Sequence, residues 1–389
     1  MTPWGAEGEV DGQALFGRAI LQIVPDLDSP ASDCVELAAS LADVGAKALV
    51  AGPPGRLTSE LQARGGVFVA LGGPTANPWR AYSNRRRLAR LVLREGVDLI
   101  HVRAGADARA ALQAAREAQA PLVADFTFAQ EASILEADSI IFYSADEMEK
   151  TVARHPALAA KAFRGFHGVD LRRYSPDAIE WSRIRRFRDA LGLKAHVRLA
   201  IAIGLPAERR QNFLVAAAQL KAKGFFANDA QEARFVWLRR EGESASASFD
   251  AELARLGLED VVLQVDWPDH AAACLAAALV IAPDDRSALC IEAAALGAPL
   301  AVLHAVGETS EVEAVLAPPR VEPAARTGWL IPPGPPASLI RAIEEAFRLG
   351  ASARENLACH ARAHARAFSV ERMNAITLAI YARHFGAGD

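Results

Sequence analysis

Two carboxylates eight residues apart, Asp284 and Glu292, stand in the stretch 279–302, LVIAPDDRSALCIEAAALGAPLAV. Each carboxylate oxygen accepts hydrogen bonds, so a pair placed in this way can grip the vicinal hydroxyls of a ribose or a sugar. The elements that must position the pair are legible around it. Leu279, Val280, Ile281 and Ala282 form a short apolar run of the kind that makes a buried parallel strand, and Pro283-Asp284-Asp285 breaks it. A helix follows with Leu289, Ala293 and Leu296 on its inner face; Gly297 closes it as a C-cap and Pro299 to Val302 opens the next strand. Ligands of open parallel sheets sit at the carboxyl ends of strands, where Asp284 and the start of that helix fall.

The chain has 389 residues, enough for two domains with full cores. A net charge of −4 gives no global basic field for nucleic acid. Cys34, Cys274, Cys290 and Cys359 have neither metal nor disulfide spacing and read as buried thiols of a reducing cytoplasm. The first residues, MTPWGAEGEVDG, lack the basic-then-apolar order of a signal peptide, and the alanine-rich run 271–283 is too short to span a bilayer. The expectation is a soluble cytoplasmic α/β protein without a metal site or a bound cofactor.

Apolar runs at 19–24, 46–51, 67–71, 98–102, 121–126 and 139–143 alternate with helical patterns, as in a doubly wound parallel sheet. The pattern begins again at 197–203 and continues at 234–238, 261–265, 279–282 and 300–303. Two consecutive Rossmann-like domains follow. The boundaries expected are a loose leader at 1–17, a first domain at 18–168, a second at 169–368 and a last helix at 369–389. Arg85, Arg86, Arg87, Arg90 and Arg94 crowd one helix whose apolar side is Leu88, Leu91 and Val92. Its readings are a solvated outer helix, or a patch for an anionic acceptor, membrane surface or protein partner. A second basic run, 183–188, is expected to be an exposed helix.

The segment Glu292-Ala293-Ala294-Ala295-Leu296-Gly297-Ala298-Pro299 resembles the E-A-x-A-x-G-x-P donor signature of glycosyltransferase family 4. Gly168, Val169, Asp170, Tyr174 and Pro176 resemble that family's N-G-V-D-x-x-x-F-x-P turn between domains, with His167 for asparagine and Tyr174 for phenylalanine. Thr327-Gly328-Trp329-Leu330-Ile331-Pro332-Pro333-Gly334 is similar to its T-G-x-L-V-P-P-G-D ending, with Pro335 for the aspartate. The resemblance spans residues 20–385. It implies the GT-B fold, two Rossmann-like doubly wound parallel-sheet domains facing a cleft, with the last helix crossing back onto the first domain. It also implies a retaining sugar transfer from a nucleotide-diphosphate sugar, the donor substrate, to an envelope glycan or lipid-linked acceptor, at the inner face of the membrane.

Such a transfer needs cations or N–H groups on the leaving diphosphate, where negative charge grows as the glycosidic bond breaks. The family's clamp is an arginine and a lysine in G-R-x-x-x-x-K-G. After Gly204 this chain has Leu205 for the arginine, Arg210 for the lysine with Arg209 beside it, and Gln211 for the glycine. Losing one of two charge-assisted phosphate contacts costs roughly 2 kcal/mol or more. Asp284 replaces the signature's first glutamate, no Phe-Gly follows it, and the segment after Pro283 is shorter. The loop 25–33 has no glycine for a close backbone approach and reads as a turn capped by Ser32 or Asp33. Thr127 and Phe128 stand for the acceptor-side His-Gly, leaving Asp125 as the nearby acid; His101, at a strand end, reads as structural. Thr309 and Ser310 align with the glycines of G-G-x-x-E, although Gly307 and Glu311 allow a shifted match.

The substrate-binding set expected is therefore Glu292, Asp284, Arg210, Arg209, Thr309 and Ser310, with Asp125 and Asp284 as candidate catalytic acids. Arg85, Arg86 and Arg90 are the candidate partner or membrane contacts. Two functions fit this pattern of kept frame and altered site. One is a sugar transferase with an eroded donor pocket; the other is an inactive relative serving as partner or scaffold in polysaccharide assembly.

Overall fold

Strands covered by helices on both faces must be apolar along their whole length, because neither face meets water. β1 (Ala19–Ile23) is buried at all five residues and departs from that rule only at Gln22, whose Nε2 donates to the Cys34 carbonyl at 3.1 Å. A computed structural model describes residues 12–28, 33–205, 207–228, 231–239, 247–283, 287–303, 326–332 and 334–386. The chain divides into two units, Met1–Gly168 with Val370–Asp389, and Val169–Ser369.

In the first unit β1 is joined by β2 (Lys47–Gly52), β3 (Val67–Ala70), β4 (Leu99–Val102), β5 (Leu122–Asp125), β6 (Ser139–Phe142) and β7 (Ala162–Arg164). Their order is β3-β2-β1-β4-β5-β6-β7 and every pairing is parallel. The order reverses between β1 and β4, so this is the topological switch point, where doubly wound sheets hold ligands. The second unit repeats the plan with β8 (Arg198–Ile203), β9 (Ala227–Asn228), β10 (Gln231–Leu238), β11 (Val262–Val265), β12 (Leu279–Pro283), β13 (Leu300–Leu303) and β14 (Trp329–Ile331). Its order is β11-β10-β8-β12-β13-β14, with β9 antiparallel to β10 and the switch between β8 and β12.

The expected apolar runs all become strands, whereas β7, β9 and β14 carry no periodicity of their own and exist by pairing. β10 starts earlier than its apolar run because Gln231 and Glu232 pair with Asn228 and Ala227. Several helices begin where a side chain satisfies the first N–H groups. Asn77 accepts from Trp79 and Arg80 ahead of Pro78–Glu95, and Gly96 closes that helix at φ +60°. The second basic helix, Trp181–Ala190, is only half exposed: Ile184 and Phe187 are buried. Arg183 makes a two-pronged pair with Asp269 at 2.8 Å. Residues Gly12–Leu15, inside the expected leader, form a helical turn that buries Leu15.

Within the first unit the helix Val370–Ala382 lies against Asp33–Asp43. Asn374 Nδ2 donates to the Glu36 carbonyl at 3.1 Å and to Ser40 Oγ at 2.8 Å. No helix among the described residues is long and apolar enough to cross a membrane.

Candidate functional site

At the carboxyl ends of β4, β5 and β6 the first unit buries a polar network centred on Asp125. Its Oδ1 lies 2.9 Å from His101 Nε2 and accepts from the Tyr143 hydroxyl at 3.2 Å. Its Oδ2 accepts from the Ala104 N–H at 3.1 Å and is ion-paired with Arg103, whose Nε lies 3.1 Å away. An ionised carboxylate has about four lone-pair sites; three take these hydrogen bonds and the Arg103 guanidinium sits against Oδ2. His101 Nδ1 lies 2.5 Å from the Tyr381 hydroxyl, which the last helix supplies. With the carboxylate as acceptor, Nε2 of His101 carries the proton and Nδ1 accepts from Tyr381. Arg103 also reaches Asp33 at 3.8 Å, and Asp33 in turn contacts His167 Nδ1 at 3.2 Å. The His167 ring stacks on Tyr143 at 4.5 Å. Asp33, read from sequence as a cap, thus belongs to a charge network.

Asp125 is 3% exposed. Burial alone would raise its pKa; the Arg103 guanidinium and then His101 outweigh that and hold it well below the usual carboxylate range. Burial holds His101 below the usual histidine value despite the pull of Asp125 in the other direction. Both shifts give stability the same sign of pH dependence, because each makes the unfolded chain bind more protons than the folded one. The His101 contribution is complete above about pH 6.5 and is lost as pH falls through its lower folded value. The Asp125 contribution is complete above about pH 3.9 and is lost at still lower pH. Urea unfolding should show β4 and β5 losing protection at lower denaturant as pH drops from about 7.5 to about 5. A midpoint that is flat or rises on acidification would contradict the buried neutral imidazole.

In the second unit β8 ends at Gly204, whose φ of +66° suits a residue without Cβ. Leu205, in the place of the clamp arginine, is 2% exposed and part of the core. Arg210 lies on the helix Ala207–Ala222, with its Nε 3.5 Å from Glu252 and its guanidinium 5.4 Å from the Phe249 ring centre. Arg209 is half-buried on the same helix. Glu292 lies on Ser287–Ala295, the helix after β12, and is half-buried. The Tyr174 phenol stands beside it; burial and then the Glu292 charge push that phenol's pKa up.

Tyr174 is delivered by the Gly-Val-Asp turn. Asp170 Oδ1 accepts from the Arg172 N–H at 2.9 Å and the Arg173 N–H at 3.2 Å, and its carbonyl accepts from the Tyr174 N–H at 2.9 Å. The tyrosine in the phenylalanine's place therefore sets a phenol beside the signature glutamate, a link that residue spacing alone does not reveal. The rest of the signature is packing. Ala293, Ala294 and Leu296 are buried, and a Cβ on Gly297 would come within 2.7 Å of Arg362 Nη1 and 3.0 Å of Ala358 Cβ. Asp284, Thr309 and Ser310 lie outside the described residues, as do residues 29–32 of the loop 25–33.

The basic helix Pro78–Glu95 splits its arginines. Arg86 and Arg90 are exposed on one face with Trp79 (82% exposed), Tyr82 and Leu93, whereas Arg85 is half-buried and lines a groove on another face. Among the described residues no group of three or more His, Cys, Asp or Glu side chains is placed to hold a metal ion. Cys34, Cys274 and Cys290 are buried thiols; Cys359 is exposed.

No family model matches the chain, and no curated protein matches it in sequence. Solved structures do match in fold. A glycosyltransferase from Rickettsia africae superposes with a TM-score of 0.77 over 96% of this chain and 100% of its own, at 16% identity. The fold is GT-B. Anabaena HepE, in complex with UDP-glucose, matches at a TM-score of 0.68 and 18% identity, over 92% of this chain and 97% of its own. A putative UDP-N-acetylglucosamine 2-epimerase from Listeria monocytogenes matches at 0.64 and 15%, over 96% of this chain and 98% of its own. The chain is thus glycosyltransferase-like at the level of the fold, which also carries other nucleotide-sugar chemistry.

Proposed function

We propose that the second unit binds a nucleotide-diphosphate sugar, with Glu292 accepting from the ribose hydroxyls, and that the chain transfers the sugar to an envelope glycan or lipid-linked acceptor. The observation that carries this reading is the placement of Glu292. It is a half-buried carboxylate on the helix after the switch-point strand β12, beside the Tyr174 phenol. The nucleotide sugar bound by the Anabaena protein of the same fold supports it. In the transfer the bond from the sugar's anomeric carbon to the diphosphate breaks, the nucleoside diphosphate leaves, and an acceptor hydroxyl forms the new glycosidic bond as it loses its proton. Arg209 and Arg210 are the cations assigned to the diphosphate, with Asp284, Thr309 and Ser310 completing the donor side. Calorimetry with UDP, GDP and their sugars is the test; absence of binding at millimolar concentration would sink it.

A second reading, an inactive partner or scaffold, is favoured by two specific observations. Asp125 is engaged by hydrogen bonds with His101, Tyr143 and Ala104 and by an ion pair with Arg103, and Arg210 is drawn toward Glu252. Under this reading nucleotide binds without turnover. Steady product formation by the purified single chain decides against it.

The exposed face of Pro78–Glu95 supports a position at the inner membrane surface under either reading. Trp79 and Tyr82 suit the interfacial belt, and each arginine near an anionic surface contributes about 1 kcal/mol. Replacing both Arg86 and Arg90 by glutamine should cut co-sedimentation with anionic vesicles by about ten-fold or more. Equal sedimentation of the double variant and the parent would remove this surface from the reading.

A further inference from the structure

We propose that the groove beside Arg85 in the first unit is a binding site for an anionic saccharide, the acceptor of the transfer. The inference rests on the acceptor half of the function proposed above and adds the chemical class of that acceptor.

The groove encloses about 730 Å³. Arg85 forms one wall; Asp107 and Arg109, at the start of the helix Ala108–Ala118, form another. Phe128 enters from the turn after β5, and Arg154 and His155 come from the end of the helix Ala145–Arg154. Gln130 makes the floor rigid. Its Oε1 accepts from the Ala108 N–H at 2.8 Å and its Nε2 donates to the Ala106 carbonyl at 2.7 Å, tying the Phe128 turn to the neighbouring helix.

The charges do not cancel locally. Asp107 is committed to capping its helix, accepting from the Ala110 N–H at 3.0 Å. Glu131 pairs with Arg154 at 2.9 Å. Arg85 and Arg109 have no ion-pair partner among the described residues, so two guanidinium groups remain for a ligand. Guanidinium prefers carboxylate or phosphate, which it can hold through two parallel N–H bonds.

Phe128 supplies the second requirement. It is 53% exposed, while Phe126 meets its ring edge-on at 5.1 Å and Arg154 sits 6.0 Å from its centre. An exposed ring fixed in this way offers its electron-rich face to the C–H side of a pyranose. A neutral sugar would leave Arg85 and Arg109 unused, and a lone phosphate would leave Phe128 unused. A sugar ring bearing an acid group uses both. Phe128 also stands at the glycine of the resembled acceptor motif, so the residue that departs from that pattern is the one that builds this wall.

The test uses the full chain with hexagalacturonate as the acidic probe, maltohexaose as the neutral one and UDP in parallel. Hexagalacturonate is expected to bind, more weakly as salt is raised, and maltohexaose is not. Arg109→Gln and Phe128→Ala should each weaken hexagalacturonate about ten-fold or more, with melting temperature and UDP affinity unchanged. Both side chains are exposed, so neither substitution opens the core. If UDP binds but hexagalacturonate does not, or if both variants bind it like the parent, the groove assignment fails while the donor reading stands. Equal binding of maltohexaose, or anionic vesicles bound through Arg109 and Phe128 in place of the saccharide, overturns it too. Binding of neither UDP nor saccharide removes the functional reading on which it rests.

Discussion

Asp125→Ala is expected to cost the first unit about 3–5 kcal/mol of stability, the range for removing one partner of a buried ion pair. The carboxylate answers three hydrogen bonds and an ion pair at once, and the alanine answers none. Arg103, whose side chain is 11% exposed, would keep a distant Asp33 at 3.8 Å as its remaining carboxylate partner. His101, with no exposed side-chain surface, would hold an N–H with nothing to receive it. The loss should appear as deprotection of β4 and β5 in hydrogen exchange under urea. That readout stays local to the first unit when two units need not unfold together. A cost below about 0.5 kcal/mol, the size of an ordinary surface change, would show that the network contributes nothing to folding. Asp125→Asn separates structure from chemistry. If its stability is kept while turnover falls about a hundred-fold or more, Asp125 acts on the substrate as a general base or acid. If stability and activity fall together, its place is in the framework.

Glu292→Ala is expected to weaken nucleoside diphosphate binding by roughly ten- to hundred-fold, equivalent to the 1.5–3 kcal/mol of a hydrogen bond to a charged group. The loss should be selective for the ribose. The parent should prefer UDP over its 2′-deoxy form, and the variant should bind both alike. Tyr174→Phe removes only the hydroxyl beside Glu292 and leaves the ring in its packing, so its effect on UDP should stay below about ten-fold. A Glu292→Ala variant with parental affinity, or an undiminished preference for the 2′-hydroxyl, would take the ribose contact away from this residue.

The two variants also show why the candidate site was only partly legible. Glu292 was recoverable because the strand before it and the Gly297 cap after it punctuate the sequence, and a carboxylate between them has few structural reasons to be there. Tyr174 was not. It pairs residues 174 and 292, and nothing in the spacing of either segment anticipates the other. Arg210 illustrates the opposite case. An alignment gives it a phosphate, while the neighbouring helix gives it Glu252 and Phe249. The basic helix Pro78–Glu95 was found as a unit, but which arginine faces which surface depends on how its apolar side seats.

By itself the sequence determined the succession of apolar runs, helix caps and glycine stops, and hence the two doubly wound sheets. Those signals are local: burial on both faces writes itself into consecutive residues, and a cap or a left-handed glycine needs only its neighbours. Tertiary structure alone decided that Asp33, His101, Arg103, Asp125, Tyr143, His167 and Tyr381 share one buried network, and that Arg85, Arg109 and Phe128 line one groove. These groups come from separate strand ends and helices. The free energy of each charge depends on burial and on partners up to 280 residues away along the chain, as between His101 and Tyr381. No pattern read along the chain carries that information.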